Sequence, residues 1–181
     1  MSIPINIRRL EASDINLIGE IDRSEHIDRL YEIIDGRLVD REVDLDVPAW
    51  SRDGSGDHSV AQLIEQWAPI VADGAMLLGA FEGDKFLGLA VVDGGFEPNL
   101  AWLGLLHVSH RYRRCGVATA LWNAAEQIAR EAGATSMYVS ATPSGSAVGF
   151  YLGRGGRLAD PPHPALFAVE PEDIHFICPF D

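Results

Sequence analysis

The stretch from Leu100 to Ala132, LAWLGLLHVSHRYRRCGVATALWNAAEQIAREA, joins an apolar run, a basic turn and an amphipathic segment. The apolar run is typical of a buried strand. After Gly116, apolar residues recur at the spacing of one helix face. The first turn of a helix carries unpaired backbone N–H groups and a partial positive charge, which together suit a phosphate. The junction from Arg113 to Thr119 is therefore predicted to bind a phosphate-bearing ligand, and a solvated basic turn is the alternative.

The composition of the 181-residue chain indicates a single folded domain. Apolar residues make up 47%, which argues against disorder, and no apolar run approaches the roughly 20 residues of a membrane span. The amino terminus lacks the apolar region of a signal peptide. The two cysteines, Cys115 and Cys178, indicate neither a disulfide framework nor a metal site. We therefore expect a cytoplasmic protein with no membrane partner.

The formal charge of −13 disfavours nucleic acid as the main partner, because phosphates would be repelled. It favours a cationic small molecule or a basic peptide, although solubility alone would also explain it. Eight acidic residues fall between Glu25 and Asp46. From Leu38 to Val47 apolar and acidic residues partly alternate, which predicts an extended segment with one acidic face.

Hydrophobic periodicity and turn residues predict further elements along the chain. Helices are predicted after the N-cap residues Ser13 and Ser59, the second ended or kinked by Pro69, and from Ala147 to Leu152. Turns or loops are predicted at Asp53 to Gly56 and Asp93 to Pro98. Strands are predicted from Ile5 to Leu10, Met76 to Phe81, Phe86 to Val92, Ser136 to Ala141, Leu166 to Val169 and Ile174 to Ile177. This order predicts a mixed α/β sheet with helices on its faces.

The glycine turn fits one of three ligand-binding signatures. No Gly-Lys-Ser/Thr follows Gly116, as a Walker A motif requires, and the glycines of a dinucleotide fingerprint are missing. The pattern Arg113-x-x-Gly116-x-Ala118 instead resembles the Gln/Arg-x-x-Gly-x-Gly/Ala signature of the GNAT N-acetyltransferase superfamily. A second run from Ser144 to Tyr151, SGSAVGFY, followed by Gly155, is similar to the family's later motif.

The resemblance implies that the whole chain forms one domain with a mixed, mostly antiparallel central sheet and helices on both faces. It also implies acetyl-CoA as the co-substrate and no metal. Backbone groups of Leu106 and Val108 would bind the pantetheine arm, and Tyr151 would bind the co-substrate and donate a proton to the departing thiolate. The other residues implied to bind the co-substrate are Arg113, Arg114, Cys115, Gly116, Val117, Ala118, Thr119 and Ser144.

The chain departs from the family pattern at three of the positions in and beside these motifs. Ser144 replaces the usual asparagine, and Gly156 stands where an aromatic residue usually follows the glycine. Cys115 lies where lysine or glycine is commoner. Near a positive helix end the Cys115 thiol could be acidified, or the residue could simply be tolerated.

A general base is expected because an amine must be neutral to attack a thioester. This base is the least defined part of the predicted site. Some relatives carry a glutamate at the strand position that Trp102 occupies here. His107 is the candidate catalytic base because histidine titrates near neutral pH, and a strand histidine hydrogen-bonded nearby is the alternative. Glu20, Glu25 and His26 lie where the family has substrate-side residues, and transfer without a dedicated base is also open.

The resemblance predicts an enzyme that moves an acetyl group from acetyl-CoA to a primary amine by direct attack in a ternary complex. The backbone N–H of Val108 would polarise the carbonyl. The acidic region between Glu25 and Asp46 favours a cationic acceptor. Two alternatives are kept, a regulatory module that binds acyl-CoA without turnover and an acyltransferase that uses a longer acyl-CoA. A homodimer is left open.

Overall fold

The computed structural model describes residues 4–54 and 59–180. Its helices are α1 (Val60–Ala72), α2 (Val117–Glu131), α3 (Gly145–Leu152) and α4 (Pro164–Val169), and 3-10 helices span Ala12–Glu20 and His110–Tyr112. Its strands are β1 (Asn6–Leu10), β2 (Glu25–Ile34), β3 (Arg37–Val47), β4 (Met76–Glu82), β5 (Lys85–Glu97), β6 (Leu100–Val108), β7 (Ser136–Ala141), β8 (Arg157–Leu158) and β9 (Ile174–Pro179).

A seven-stranded sheet with the order β1-β4-β5-β6-β7-β9-β8 forms the centre of the molecule. Its neighbouring strands are antiparallel except for β6 and β7, which run parallel. These two strands pair only as far as Leu103, which lies opposite Val139. From there to Val108, β6 continues along β5 and leaves β7. We call the resulting opening between residues 104–108 and the end of β7 the strand gap.

Helices cover both faces of this sheet because both faces are apolar. On one face, α2 and α3 bury Leu121, Trp122 and Val148 against the sheet. On the other face, α1 and the first 3-10 helix bury Trp67 and Ile18. Burial of each large apolar side chain contributes about 1.5–3 kcal/mol, so both layers hold the sheet firmly. The predicted mixed, mostly antiparallel sheet with helices on both faces is confirmed.

Strands β2 and β3 form a separate two-stranded hairpin, with Glu25 opposite Val47 and Ile34 opposite Arg37. The predicted extended segment from Leu38 to Val47 is confirmed as part of β3, whereas β2 was not predicted. The Tyr31 N–H donates to the Pro143 carbonyl at 2.8 Å, just after the end of β7. The hairpin is therefore anchored beside the strand gap.

The two predicted N-caps have different outcomes. Ser59 caps α1 as predicted, because its hydroxyl accepts from the Gln62 N–H at 3.2 Å. Ser13 does not cap the first helix, which is a 3-10 helix whose capping box is formed by Glu11 and Asp14. Pro69 does not end α1, because the helix continues to Ala72 with Val71 buried in the core.

Two other local predictions are wrong and a third is only partly described. Leu166 to Val169 belongs to α4 rather than a strand, because Pro164 suits a first helical turn and the His163 side chain accepts from the Leu166 N–H. The chain does not turn at Asp93, because β5 continues to Glu97. In the predicted loop at Asp53 to Gly56, the last two residues lie outside the described residues.

None of the helices in residues 4–54 and 59–180 is both long enough and apolar enough to cross a bilayer.

Candidate active site

A bulge in β6 produces the strand gap. Val92 lies opposite Leu103 and Val91 opposite Leu105, so Gly104 is an extra residue. A Cβ at Gly104 would approach a ring carbon of Trp67 at 2.6 Å, so a larger residue would displace that ring. The bulge therefore depends on glycine at this position.

The backbone of β6 faces the strand gap at alternate residues. The Ser109 N–H donates to the Leu87 carbonyl of the neighbouring chain segment. In an antiparallel pair, hydrogen-bonded and non-bonded positions alternate, so Leu106 and Val108 direct their N–H and C=O groups away from β5. The Val108 carbonyl accepts from Arg113 Nε at 3.2 Å, in agreement with this orientation. Leu106 and the Val108 N–H therefore form an edge of β6 that matches the expected path of an extended pantetheine arm, while the Val108 carbonyl is taken by Arg113.

The turn after β6 ends in the exposed amino terminus of α2. Arg114 and Gly116 have φ values of 61° and 86°, which turn the backbone sharply before the helix. The first helical hydrogen bond runs from the Ala120 N–H to the Gly116 carbonyl at 3.0 Å. The N–H groups of Val117, Ala118 and Thr119 therefore precede the helical ladder and suit an anion.

The two arginines of the turn have different roles. Arg113 donates to the carbonyls of Val108 and Arg23, and its guanidinium lies 3.4 Å from the Glu25 carboxylate. Glu25 also accepts from the Ser146 hydroxyl at 2.5 Å. These contacts connect the end of β6, the start of β2 and the start of α3 across the strand gap. Arg114 is exposed and makes no ion pair within the described chain, so its guanidinium can reach a phosphate.

Two further residues adjoin the first turn of α2. Arg154 donates to Thr119 Oγ1 at 2.9 Å and stacks over the Phe150 ring at 4.9 Å. No local sequence signal pointed to Arg154, which lies between Tyr151 and Gly155 of the second motif. Cys115 is exposed, and its sulfur lies 3.5 Å from the Arg113 carbonyl.

Tyr151 lies in the core on the sheet face that α2 and α3 cover. Its ring packs near Trp122 and Phe176, and the side chain is 7% exposed. Burial raises the pKa of its phenol, so the hydroxyl keeps its proton at neutral pH. Within residues 4–54 and 59–180 that hydroxyl makes no hydrogen bond to the protein. A neutral, unpartnered phenol is suited to donate a proton to a ligand.

Ser144 has a structural role that the sequence did not reveal. It is the N-cap of α3, is 2% exposed, and its hydroxyl accepts from the Ala147 N–H at 3.4 Å. The same hydroxyl lies 3.2 Å from that of Ser146. Its direct contact with a co-substrate stays a prediction, and its capping role explains serine at this position.

His107 is half-buried on β6. Its ring packs edge-to-face against Trp50, with the two ring centroids 4.8 Å apart. Burial, aided by the positive charges of Arg23 and Arg113, lowers the pKa of His107 to about 4. The ring is neutral at pH 7 and can accept a proton, but it is a weak base there.

Trp102 packs against Trp67, and among the described residues its buried indole N–H has no partner.

Replacing His107 by phenylalanine is expected to reduce the loss of folding stability between pH 6.5 and pH 4. The pKa of His107 is about 4 when folded and near 6.5 when unfolded, so the unfolded chain binds more protons between these values. Stability from this group is complete above pH 6.5 and falls by about 3 kcal/mol on acidification to pH 4, at about 1.4 kcal/mol per pH unit. Urea unfolding of both proteins from pH 4.5 to 7 measures the difference. Parallel curves would contradict the assignment.

Part of the negative charge of the β2–β3 hairpin is paired with basic side chains of the same hairpin. His26 Nδ1 lies 2.9 Å from an Asp46 oxygen, and this hydrogen bond raises the pKa of His26. Arg29 pairs with Asp40 at 3.2 Å, and Arg41 pairs with Glu32 at 2.9 Å. Of the predicted substrate-side residues, Glu25 is joined to Arg113, His26 stays on the hairpin and Glu20 ends the first 3-10 helix. The structure does not bring these three together.

Two carboxylates near the end of β7 were not among the residues predicted from the sequence. Glu170 and Asp173 lie between α4 and β9, and both are half-buried. Their only sequence signal was their position directly before an apolar strand. Within residues 4–54 and 59–180, no group of three or more His, Cys, Asp or Glu residues is arranged to hold a metal ion.

Comparisons with known proteins agree with this geometry. A profile of the acetyltransferase (GNAT) family matches residues 39–155. No curated protein sequence matches the chain significantly. Among solved structures, nourseothricin acetyltransferase is similar with a TM-score of 0.68 and 19% identity, over 97% of this chain and 98% of that one.

Two solved structures with bound ligands have the same fold. A Bacillus anthracis protein assigned as a streptothricin acetyltransferase, in complex with acetyl coenzyme A, has a TM-score of 0.69 and 18% identity, over 99% and 100% of the two chains. PaiA N-acetyltransferase from Thermoplasma acidophilum, in complex with coenzyme A, has a TM-score of 0.63 and 17% identity, over 98% and 100%. Identities this low establish the fold, whereas the family profile spans more than half of the sequence. The chain therefore belongs to the GNAT family of acetyltransferases.

Proposed function

We propose that this protein transfers the acetyl group of acetyl-CoA to a primary amine, with both substrates bound together. The observation that carries the proposal is the free edge of β6 at Leu106 and Val108, which leads to the open amino terminus of α2. The edge suits the amide-containing pantetheine arm and the helix terminus suits the pyrophosphate. The bound acetyl coenzyme A and coenzyme A of two structural neighbours support the same choice of co-substrate.

The residues of the strand gap would divide the chemistry between them. Acetyl-CoA supplies the acyl group as a thioester, whose carbonyl carbon the amine attacks. The Val108 N–H, directed away from β5, would donate a hydrogen bond to the carbonyl oxygen as negative charge develops. Tyr151 would protonate the sulfur as the carbon–sulfur bond breaks. Its raised pKa supports this role because the phenol is neutral before the reaction.

The acceptor is proposed to be cationic, on the strength of the protein's net charge of −13. Nourseothricin and streptothricin, which appear in the names of two structural neighbours, are the first small molecules to test. A polyamine, an aminoglycoside and peptides with a free amino terminus complete the panel. The proposed location is the cytoplasm, where acetyl-CoA is supplied by metabolism.

The experiment is a free-thiol release assay with this panel and with acetyl-, propionyl- and succinyl-CoA as donors. We expect amine-dependent thiol release that is fastest with acetyl-CoA. Faster release with a longer donor would identify a different acyltransferase. Tight binding of acetyl-CoA without release for any amine would contradict the proposal and identify a binding module.

A further inference from the structure

Strand β2 spans the strand gap from one side to the other. Just before its start, the Asp22 N–H donates to the Ser109 hydroxyl at 2.8 Å, directly after the end of β6. Farther along, the Tyr31 N–H donates to the Pro143 carbonyl at 2.8 Å, just after the end of β7. The β2–β3 hairpin therefore lies over the place where β6 and β7 diverge.

Glu25 joins three segments of the chain within this span. Its Oε2 lies 3.4 Å from the Arg113 guanidinium, and its Oε1 accepts from the Ser146 hydroxyl at 2.5 Å. Arg113 in turn donates to the Val108 carbonyl at 3.2 Å. A continuous series of polar contacts thus runs from the end of β6, through the first residue of β2, to the first turn of α3. We call this series the Glu25 bridge.

The hairpin has little apolar burial to hold it in place. In β2 and β3, all of whose residues the structure describes, Ile27 is the only residue that is buried. The position of the hairpin therefore depends on polar contacts such as the Glu25 bridge. The bridge is partly shielded from water, because the side chains of Glu25 and Arg113 are only 23% and 27% exposed. Shielding makes the contact worth more than an ion pair on the open surface.

The first turn of α3 offers the hairpin a close fit beside the Glu25 bridge. A Cβ at Gly145 would lie 3.3 Å from the Cβ of Arg29 on β2, so glycine allows the strand to approach the helix. The helix itself is held by the core, in which Val148 and Tyr151 are buried. Loss of the bridge should therefore release the start of the hairpin and leave Tyr151 in its place.

We propose that Glu25 is a positioning residue for the acceptor amine, because it holds the start of β2 over the strand gap where the amine meets the thioester. The inference rests on the proposed acetyl transfer. The amine must reach a carbonyl whose oxygen is bound by the Val108 N–H, and β2 covers that part of the gap. Both carboxylate oxygens of Glu25 have partners, so the residue acts through β2 and takes no proton from the amine.

This arrangement predicts how the kinetics respond when the bridge is broken. Only the fraction of molecules with β2 in place would bind the amine well, and the apparent affinity falls by that fraction. At saturating amine the same complex forms, with Val108 and Tyr151 unmoved. The amine KM should therefore rise while kcat is retained.

The test compares Glu25→Gln with Glu32→Gln. Glu32 lies on the same strand and pairs with Arg41 at 2.9 Å inside the hairpin, so its variant loses a charge contact away from the gap and is the matched control. Thiol release is measured with the most active amine of the panel, and calorimetry measures the acetyl-CoA Kd. We expect Glu25→Gln to raise the amine KM about tenfold, since a hydrogen bond to a charged group is lost. Its kcat and acetyl-CoA Kd should stay within about threefold, and the control should stay within about twofold in all three quantities.

Hydrogen exchange in the CoA-bound protein gives a readout that does not depend on activity. The amides of residues 25–31 should exchange about tenfold faster in Glu25→Gln than in the wild-type protein or in Glu32→Gln, because the start of β2 opens more often. Ser146→Ala removes the other partner of the bridge and should change the amine KM and the exchange rate in the same direction. This variant decides the question if Glu25→Gln does not fold.

A wild-type amine KM or wild-type exchange in Glu25→Gln would overturn this inference and leave the proposed function intact. An equal rise of KM in Glu32→Gln would also overturn it, because any charge lost from the hairpin would then have the same effect. If the wild-type protein releases no thiol with any amine, the proposed function fails instead, and hydrogen exchange alone decides. Faster exchange in Glu25→Gln but not in Glu32→Gln would then support the Glu25 bridge, and equal exchange in both would overturn it.

Discussion

Replacing Gly116 by aspartate is expected to lower the affinity for acetyl-CoA by more than 100-fold. The residue has a φ of 86° and immediately precedes the first turn of α2. A carboxylate there would lie beside the proposed pyrophosphate, and two unit charges about 4 Å apart near a protein surface repel by about 4 kcal/mol. Each 1.4 kcal/mol corresponds to a tenfold change in Kd, which calorimetry measures directly.

Two control variants separate charge from backbone strain in that experiment. Gly116→Asn introduces a side chain of nearly the same size without a charge, and asparagine tolerates positive φ about as well as aspartate. Gly133→Asp places the same charge after the other end of α2, where φ is 92° and no atom would crowd the new Cβ. We expect Gly116→Asn to bind at least tenfold more tightly than Gly116→Asp, and Gly133→Asp to bind like the wild-type protein. Equal affinities for Gly116→Asp and the wild-type protein would refute the phosphate assignment.

The turn at Gly116 could be predicted because its signals are local. The apolar run, the glycine and the helical periodicity lie within one stretch of sequence, and each determines the conformation of its own neighbours. The parallel pairing of β6 with β7 is not local, and neither is the bulge at Gly104. The strand gap could therefore be expected only from the family resemblance, while its geometry required the structure.

Strand β2 was not predicted from the sequence, for a different reason. Most of its residues are exposed, so burial imposes no alternation on the sequence EHIDRLYEII. The strand forms because β3 pairs with it across a tight turn at Asp35 and Gly36, both with positive φ. A hairpin that contributes little to the core leaves a weak hydrophobic pattern.

Glu170 and Asp173 show why half-buried carboxylates can be hidden in an acidic sequence. Among the 27 acidic residues of the chain, two that come just before a strand look like part of a solvated loop. Their burial comes from the pairing of β9 with β7, which brings distant parts of the chain together. Sequence spacing carries no trace of that contact, whereas Tyr151 was a candidate because it belongs to a recognisable motif.

Replacing Tyr151 by phenylalanine is expected to lower kcat about 100-fold or more while leaving the acetyl-CoA Kd within about threefold of wild type. General acid catalysis contributes about 10²- to 10⁴-fold, and the variant keeps the ring that packs against Trp122 and Phe176. Because the Tyr151 hydroxyl makes no hydrogen bond to the described protein, its loss should cost the fold little. Thiol-release assays measure kcat, calorimetry measures the acetyl-CoA Kd, and thermal unfolding measures the stability.

Tyr138→Phe is the matched control, because Tyr138 is also buried but its hydroxyl is fully engaged. That hydroxyl lies 2.8 Å from His175 Nδ1 and accepts from the His163 N–H at 2.9 Å. Its removal takes away the acceptor of the His163 N–H and leaves His175 Nδ1 only the Ser140 hydroxyl at 3.3 Å, which should cost about 1–3 kcal/mol of stability with much less effect on kcat. Tyr151→Phe is thus expected to lose turnover, whereas Tyr138→Phe is expected to lose stability. A Tyr151→Phe protein with wild-type kcat would mean that the departing sulfur takes its proton from another group, and solvent entering through the strand gap would then be the remaining donor.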